Sequence, residues 1–306
     1  MKNIIIVAIF IICSININAQ QNPLFTKYMF NSLMYNPAYA GSNISHGTAT
    51  IIGRKQWIGF EGAPNSVLGG IEGSVKERVA LGLTIGYNQL GINKETNIYS
   101  NYVYRFQVGQ GLLGVGLRAG VSIFNTQYSL ANVAAGDPVY DQPDEKLLST
   151  SAGFGLYWTN TKFYVGASIP TVFIYDKKNG AYTTIQKSAP LLDRHIYFHT
   201  GGNFGSTGSD FSFEPSILVK YQPDASIQGT LGLNVWYDHK VAIGLTYRTQ
   251  DAIAITGEVI LNERLKIGAA YDFTTSELKN YGHGSAEIML GYKFDTNVGQ
   301  KIMNIN

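Results

Sequence analysis

Five histidines, one cysteine and a scatter of Ser, Asp and Glu are the side chains in this sequence that could do chemistry. His46, His195, His199, His239 and His283 show no HExxH or other metal-ligand spacing. His195 and His199 are four apart, which on a strand places them on one face and nothing more. Acyl transfer needs a Ser, a His and an orienting group within hydrogen-bond reach. His283 with Ser285, and Asp193 with His195, share strand faces, but neither pair has a sequence context peculiar to catalysis. G-x-G pairs such as Gly114 with Gly116 fall inside strand patterns and lack the following helix that a dinucleotide site demands. The residues therefore point to a chain that is not an enzyme and carries no cofactor or metal.

The one cysteine, Cys13, lies in a short apolar run from Ile4 to Ile12 and beyond that follows Lys2 and Asn3. Nine residues of helix span about 13 Å, too short for a hydrocarbon core of about 30 Å, so residues 1–19 read as a secretory signal cleaved after Ala19. A mature chain starting at Gln20 has no thiol and no disulfide. Charged residues are 14% of the sequence, well below the ~25% of soluble domains, while Gly and Tyr reach 34 and 20. Removing Lys2 from the 23 basic residues leaves 22 against 21 acidic ones, a net +1. That balance excludes an electrostatic nucleic-acid surface.

What must position any site is a wall of strands. Val79, Leu81, Leu83, Ile85 and Tyr87 alternate with Ala80, Gly82, Thr84, Gly86 and Asn88. One apolar face and one small or polar face suit a strand between lipid and water. The pattern recurs in about fourteen segments, an even number, and predicts an all-β transmembrane outer-membrane barrel of antiparallel strands. They are read at 45–59, 63–75, 78–88, 95–108, 111–125, 148–159, 162–170, 193–204, 210–221, 226–237, 240–248, 252–261, 264–273 and 284–294. Tight links such as Lys76-Glu77, Gly109-Gln110, Asp238-His239 and Asn262-Glu263 alternate with a set containing every long one, including 126–147, 171–192 and 274–283. That polarity puts both termini in the periplasm and the long loops outside. Ile288, Leu290, Tyr292 and Phe294 form the aromatic-ended strand that barrel assembly recognises, and 295–306 follow as a polar tail.

Alternation also assigns the lumen. Leu113, Val115, Leu117, Ala119, Val121 and Ile123 face lipid, so Arg118 faces inward, since a mid-depth Arg in lipid would cost ~2–4 kcal/mol. Arg105, Glu258, Lys266, Asp272 and Lys293 fall opposite their strands' apolar faces. They form either a polar channel or charges paired in a filled lumen, and the glycines on that face favour close packing against a plug. A plug is available: Pro23 to Gly41 does not alternate and carries Phe25, Tyr28, Phe30, Tyr35 and Tyr39. It either seals the lumen from below or docks a partner. The expected organisation is a signal at 1–19, a plug or docking segment at 20–44, the barrel at 45–294 and the tail at 295–306.

The run Gln21-Asn22-Pro23-Leu24-Phe25-Thr26-Lys27-Tyr28-Met29-Phe30-Asn31, with Tyr35-Asn36-Pro37-Ala38-Tyr39-Ala40-Gly41, resembles the opening of the PorP/SprF family. Arg54-Lys55-Gln56-Trp57, Lys162 to Gly166, Leu191 to His195, Tyr271-Asp272-Phe273 and Gly284 to Ile288 extend the likeness over nearly the whole mature chain. Lys55 stands where the family more often has Asn. The resemblance implies an outer-membrane component of the type IX secretion system of the Bacteroidota, associated with protein secretion and gliding motility. Its implied partners are the C-terminal domain of a secreted, adhesin-like cell-surface protein, other secretion components in the periplasm and outer membrane, and the surrounding lipid. Tyr28, Tyr35, Asn36, Pro37, Ala38, Tyr39, Gly41, Arg54, Gln56 and Trp57 become candidate plug or partner residues. A solute channel for small or hydrophobic molecules is the alternative.

Overall fold

A computed structural model describes residues 25–130, 143–176, 181–183, 195–205, 209–223, 225–296 and 298. The expected signal, residues 191–194 with Asp193, much of the two longest loops and the end of the tail lie outside them. Among the described residues no helix is long and apolar enough to cross a membrane, and the chain is built from strands.

Fourteen antiparallel strands form the wall: β1 (His46–Lys55), β2 (Asn65–Lys76), β3 (Val79–Leu90), β4 (Asn93–Val108), β5 (Gly111–Thr126), β6 (Glu145–Thr159), β7 (Phe163–Asp176), β8 (Ile196–Gly202), β9 (Phe211–Tyr221), β10 (Gln228–Tyr237), β11 (Val241–Arg248), β12 (Ala252–Leu261), β13 (Leu265–Thr274) and β14 (Ser285–Asp295). Each pairs with its chain neighbours, and β14 returns to β1 from His46↔Asp295 to Lys55↔Ala286. Closure removes the sheet edge, so every wall strand finds ladder partners on both sides, as a hydrocarbon surrounding requires. Two short pieces, Ala181–Thr183 on β7 and Phe204–Gly205 on β9, add to the rims.

Side chains separate by face as alternation dictates. Leu117 is 58% exposed and points outward, while Arg118 beside it is 5% exposed and points inward. Leu81, Leu83 and Ile85 are likewise outward, with Ala80 and Thr84 buried. Exposed aromatics gather toward both strand ends: Phe106, Phe163, Phe211 and Tyr237 at one, Tyr87, Tyr221, Tyr247 and Phe273 at the other. Such rings mark the two membrane–water interfaces.

The two mouths differ. Links after β2, β4, β10 and β12 are tight hairpins. Asp238 and His239 have φ of 49° and 51°, and Asn262 and Glu263 of 53° and 58°. Consecutive left-handed residues are the turn whose twist matches the flanking strands. The ammonium of Lys240, 2.6 Å from Asp238, holds that carboxyl below its usual range by hydrogen bond and charge, an exposed pair of little consequence for stability. The other mouth carries the links 56–64, 127–144, 177–195 and 275–284, with shorter ones at 91–92, 222–227 and 249–251. They are called here the turn mouth and the loop mouth.

Two strands depart from the sequence reading. β1 stops at Lys55 rather than residue 59, because Trp57 takes φ of 45° and Gly59 of 94°, and the chain reverses. β7 runs past Pro170 to Asp176. A Pro cannot donate to a ladder, but the β6–β7 register shifts between Ala152 and Phe154, and Gly153 lies against the Pro170 carbonyl with no room for a Cβ. The bulge accommodates the Pro.

If the facing is as described, Leu117→Arg destabilises the barrel by ~2–4 kcal/mol in urea unfolding from lipid vesicles, and Gln110→Arg at the turn mouth by under about 0.5 kcal/mol. Equal effects would contradict it.

Candidate functional site: the lumenal plug

Phe25 to Gly41 runs inside the barrel. It is built from three single turns, Tyr28–Phe30, Ser32–Tyr35 and Pro37–Tyr39, and most of its residues are buried, Phe25, Tyr28, Leu33 and Tyr35 almost completely. Turns this short satisfy only some of their own backbone groups, such as Phe30 N–H on the Lys27 carbonyl and Asn36 N–H on the Ser32 carbonyl. The wall satisfies others, and each of the fourteen strands meets the segment through at least one residue.

Near the loop mouth an ionic cluster closes around Thr26 and Lys27. Arg54 on β1 bridges Asp272 on β13 at 2.8 Å and pairs with Glu287 on β14; Arg248 on β11 reaches Asp272 at 3.3 Å and Asp251 at 2.7 Å. Thr26 sits among them: its hydroxyl donates to Asp272 at 2.7 Å and accepts from Arg248 at 2.9 Å and Arg54 at 3.3 Å. The backbone N–H groups of Thr26 and Lys27 donate to the two Glu287 oxygens at 2.6 and 3.0 Å. Lys27 Nζ then reaches Glu258 on β12 at 2.7 Å. Arg54, Asp272, Glu287, Lys27 and Glu258 are all nearly inaccessible, so removing one partner leaves a buried charge exposed to little but its own desolvation.

At mid-depth the contacts are apolar and neutral. Tyr28 Oη donates to Ser216 on β9 at 2.9 Å, and Tyr35 packs edge-on against Tyr197 on β8. Met29 meets Gly232 and Asn234 on β10. Phe25 joins Ile52, Leu68 and Met289, while Leu33 and Ala40 join Ala80 on β3 and Val103 on β4. Arg118 on β5 has no carboxylate beside it in this network. It donates to Asn101 at 2.9 Å and to the carbonyls of Met34, at 2.9 Å, and Leu33, which are acceptors left over at the end of the Ser32–Tyr35 turn.

The block Asn36 to Gly41 is accounted for residue by residue. Asn36 Oδ1 accepts the Ala38 N–H at 2.9 Å, while its amide donates to the Leu156 carbonyl on β6 at 2.9 Å and meets His199 Nε2 on β8 at 3.0 Å. With both amide hydrogens used this way, His199 Nε2 is the acceptor and the imidazole is neutral. Pro37 starts the next turn, where no N–H is needed. Ala38 lies on Gly114 and Gly116 of β5, so closely that a Cβ at Gly116 would overlap its backbone. Tyr39 stands edge-on to Tyr157. Gly41, at φ of 66° and against Ala80, donates to Glu72 on β2 at 2.5 Å and accepts from Arg105 on β4. Arg105 also donates to Ser74 at 2.8 Å and to the Lys76 and Glu77 carbonyls at 2.9 and 3.0 Å. Ser168 on β7 completes the ring through the Tyr35 carbonyl at 2.7 Å.

Arg105, Arg118, Glu258 and Asp272 are all lumenal and buried, and every one contacts the plug or its supports. Of Arg54, Gln56 and Trp57, only Arg54 reaches the plug; Gln56 N–H bonds Pro64 O, and Trp57 N–H donates to Ser285 Oγ at 3.2 Å at the loop mouth. Thr26, Lys27, Glu287, Arg248 and Glu72 are partners that residue-by-residue reading did not single out, and His199, noted there only for its spacing from His195, is another. Glu287 was legible, because Ser285, Glu287 and Met289 alternate with the apolar Ile288 and Leu290. Ser285 is occupied by Trp57, and His283 accepts at its carbonyl from Tyr271. Among the described residues no group of three His, Cys, Asp or Glu could hold a metal. Cavities remain on either side of the plug. One of about 70 Å³ toward the loop mouth is lined by Phe25, Met34, Tyr35, Glu95 and His195; one of about 410 Å³ toward the turn mouth by Met29, Phe30, Tyr39, Glu214 and Lys266.

Arg54→Ala should destabilise the folded barrel by about 3–5 kcal/mol by denaturant unfolding, with part of the loss recovered when Glu287→Gln removes the stranded charge. Asn36→Asp, isosteric but without donors, should cost about 1–3 kcal/mol or more for the same reason. Losses no larger than that of Lys240→Ala would refute these roles.

No curated protein matches this chain in sequence. Among solved structures, the CymD monoaromatic hydrocarbon channel aligns at 13% identity over 87% of this chain and 92% of its own, with a TM-score of 0.51. A TodX deletion mutant, also a monoaromatic hydrocarbon channel, aligns at 10% identity over 87% and 94% with a TM-score of 0.49. A Pseudomonas aeruginosa FadL homologue aligns at 13% over 90% and 95% with 0.46. At such identities the CymD likeness shows a shared barrel fold and nothing about cargo. The family model for the type IX secretion system membrane protein PorP/SprF matches residues 17–292, most of the chain, and the chain belongs to that family.

Proposed function

We propose that this barrel is a non-conducting, non-enzymatic outer-membrane component of type IX secretion that helps export one adhesin-like cell-surface protein or holds it at the surface. Its periplasmic turns and plug-side vestibule meet other secretion components, its long loops face outward to the cargo, and its leader is removed after Ala19. The family supports the secretion role. The observation that carries the non-conducting part is the plug, which is bonded or packed to every wall strand and leaves separate cavities above and below. A solute channel would need a path past Arg118, Asn36 and the Thr26 cluster, and those groups are committed to one another.

Deleting the gene in its native host and comparing surface and culture-fluid proteomes tests this reading. Loss of one surface protein from the cell, or its release to the medium, is expected and identifies the cargo. An unchanged secretome with altered uptake of small hydrophobic solutes would overturn it.

A further inference from the structure

Among the described residues, Glu95 is a buried carboxylate that the lumen leaves without a counter-charge. Glu258 lies 2.7 Å from Lys27, Asp272 lies 2.8 Å from Arg54, and Glu287 pairs with Arg54 as well. Glu72 accepts from the Gly41 N–H at 2.5 Å and the Thr48 hydroxyl at 2.6 Å, and Arg105 donates to the carbonyl of the same glycine. Glu95, the third residue of β4, is 7% exposed and accepts only from the side-chain amides of Asn88 at 3.1 Å and Asn97 at 3.4 Å. No described Lys, Arg or His nitrogen lies within salt-bridge distance of it. Amide dipoles do not neutralise a carboxylate, and a buried ion without counter-charge is strongly disfavoured.

Glu95 lines the cavity of about 70 Å³ toward the loop mouth. Three cross-strand pairs on the lumenal face of β3 and β4 build that wall: Asn88↔Glu95, Gly86↔Asn97 and Thr84↔Tyr99. The Thr84 hydroxyl lines the same cavity, and although the residue is only 2% exposed, that oxygen has no hydrogen-bond partner. The cationic group of the lining is committed elsewhere. Arg118 donates to Asn101 and to the Leu33 and Met34 carbonyls, and its guanidinium lies 5.2 Å from the centre of the Tyr99 ring. The plug closes the other side of the cavity with Phe25, Met34 and Tyr35.

We propose that this cavity is a binding site for a small monovalent cation, sodium or potassium, held by the Glu95 carboxylate. The amide oxygens of Asn88 and Asn97 and the Thr84 hydroxyl complete its shell, directly or through water. Size and charge set the class. Sites for small organic ligands run to roughly 300 Å³ or more, whereas one water's share of liquid volume is ~30 Å³, so this cavity has room for an ion with one or two waters. A divalent ion asks for more carboxylate than the single one in the lining. One carboxylate among neutral oxygens balances one positive charge. The ion stands beside β3 and β4, across the lumen from the Arg54 cluster on β1, β11, β13 and β14, and fastens the Phe25 and Tyr35 side of the plug to the wall. This role belongs to the barrel itself and stands apart from the secretion reading.

Urea unfolding from vesicles of zwitterionic lipid tests it with the metal ions alone. Chloride concentration and ionic strength stay fixed while sodium or potassium replaces N-methyl-D-glucammonium, which is too large for the cavity. A ligand that binds only the folded state multiplies the folded-to-unfolded ratio by 1 + [L]/Kd, so that ratio should climb with sodium or potassium, by about tenfold once the ion reaches ten times its dissociation constant. Glu95→Gln, isosteric and uncharged, should remove the rise. An equal ratio in all three salts overturns the proposal and leaves Glu95 a protonated acid in a hydrated cavity. A rise that persists undiminished in Glu95→Gln also overturns it, by placing the ion elsewhere. Should Glu95→Gln fail to insert, Thr84→Val decides, since it keeps the shape and removes the hydroxyl. That variant should need a several-fold higher ion concentration for half the effect, and an unchanged response overturns the site.

Discussion

The arrangement depends on the cluster in which Arg54, Arg248, Asp272 and Glu287 close around Thr26 and Lys27. Four ionised groups on β1, β11, β13 and β14 lie inside a lipid-embedded barrel where water is scarce. Each needs counter-charge and hydrogen bonds, because desolvation of a buried ion exceeds what a single imperfect pair returns. The wall alone supplies only part of this. Two backbone N–H groups and one hydroxyl from the plug supply the rest, which makes the wall charges and the plug mutually dependent.

The same reciprocity extends down the lumen by other means. Arg118, which has no carboxylate beside it in this network, is satisfied by plug carbonyls at Leu33 and Met34, and Arg105 by the Gly41 carbonyl together with Ser74 and the carbonyls of Lys76 and Glu77. The Leu33 and Met34 carbonyls belong to the single turn Ser32–Tyr35, which ends before it can bond them itself. Where no polar group is offered, the wall gives up side chains: Gly82, Gly114 and Gly116 let Leu33, Ala40 and Ala38 lie directly on the sheet. A lumen lined this way is shaped for one particular segment, and the Asn-Pro-Ala-Tyr-Ala-Gly block fills it with no space left at Gly116 and both Asn36 amide hydrogens used.

Much of this was legible in the sequence because a strand between lipid and lumen must alternate. Leu117 against Arg118 fixed the facing of β5, and the turns at Asp238-His239 and Asn262-Glu263 were readable from composition and the strands they join. β7 was cut short at Pro170 because the bulge opposite, which removes the need for its N–H, involves Gly153 on a different strand. The end of β1 was overrun because nothing in Gln56-Trp57-Ile58 announces a left-handed Trp57. The plug segment stood out by its aromatics and lack of period. Its path did not, since which wall charge meets Thr26 or Gly41 depends on barrel closure and register, and a linear pattern carries neither. A plug lying along the whole lumen rather than beneath it is the main thing the structure adds.

On the proposed reading, the plug seals the barrel because the lumen is built around it. Single-channel recording of the purified protein in planar lipid bilayers tests this most directly, beside a variant lacking residues 25–41. The intact protein should pass no persistent current across a range of voltages, and the shortened barrel, if it inserts, should conduct steadily. A stable ohmic conductance from the intact protein would mean that the plug leaves the lumen open.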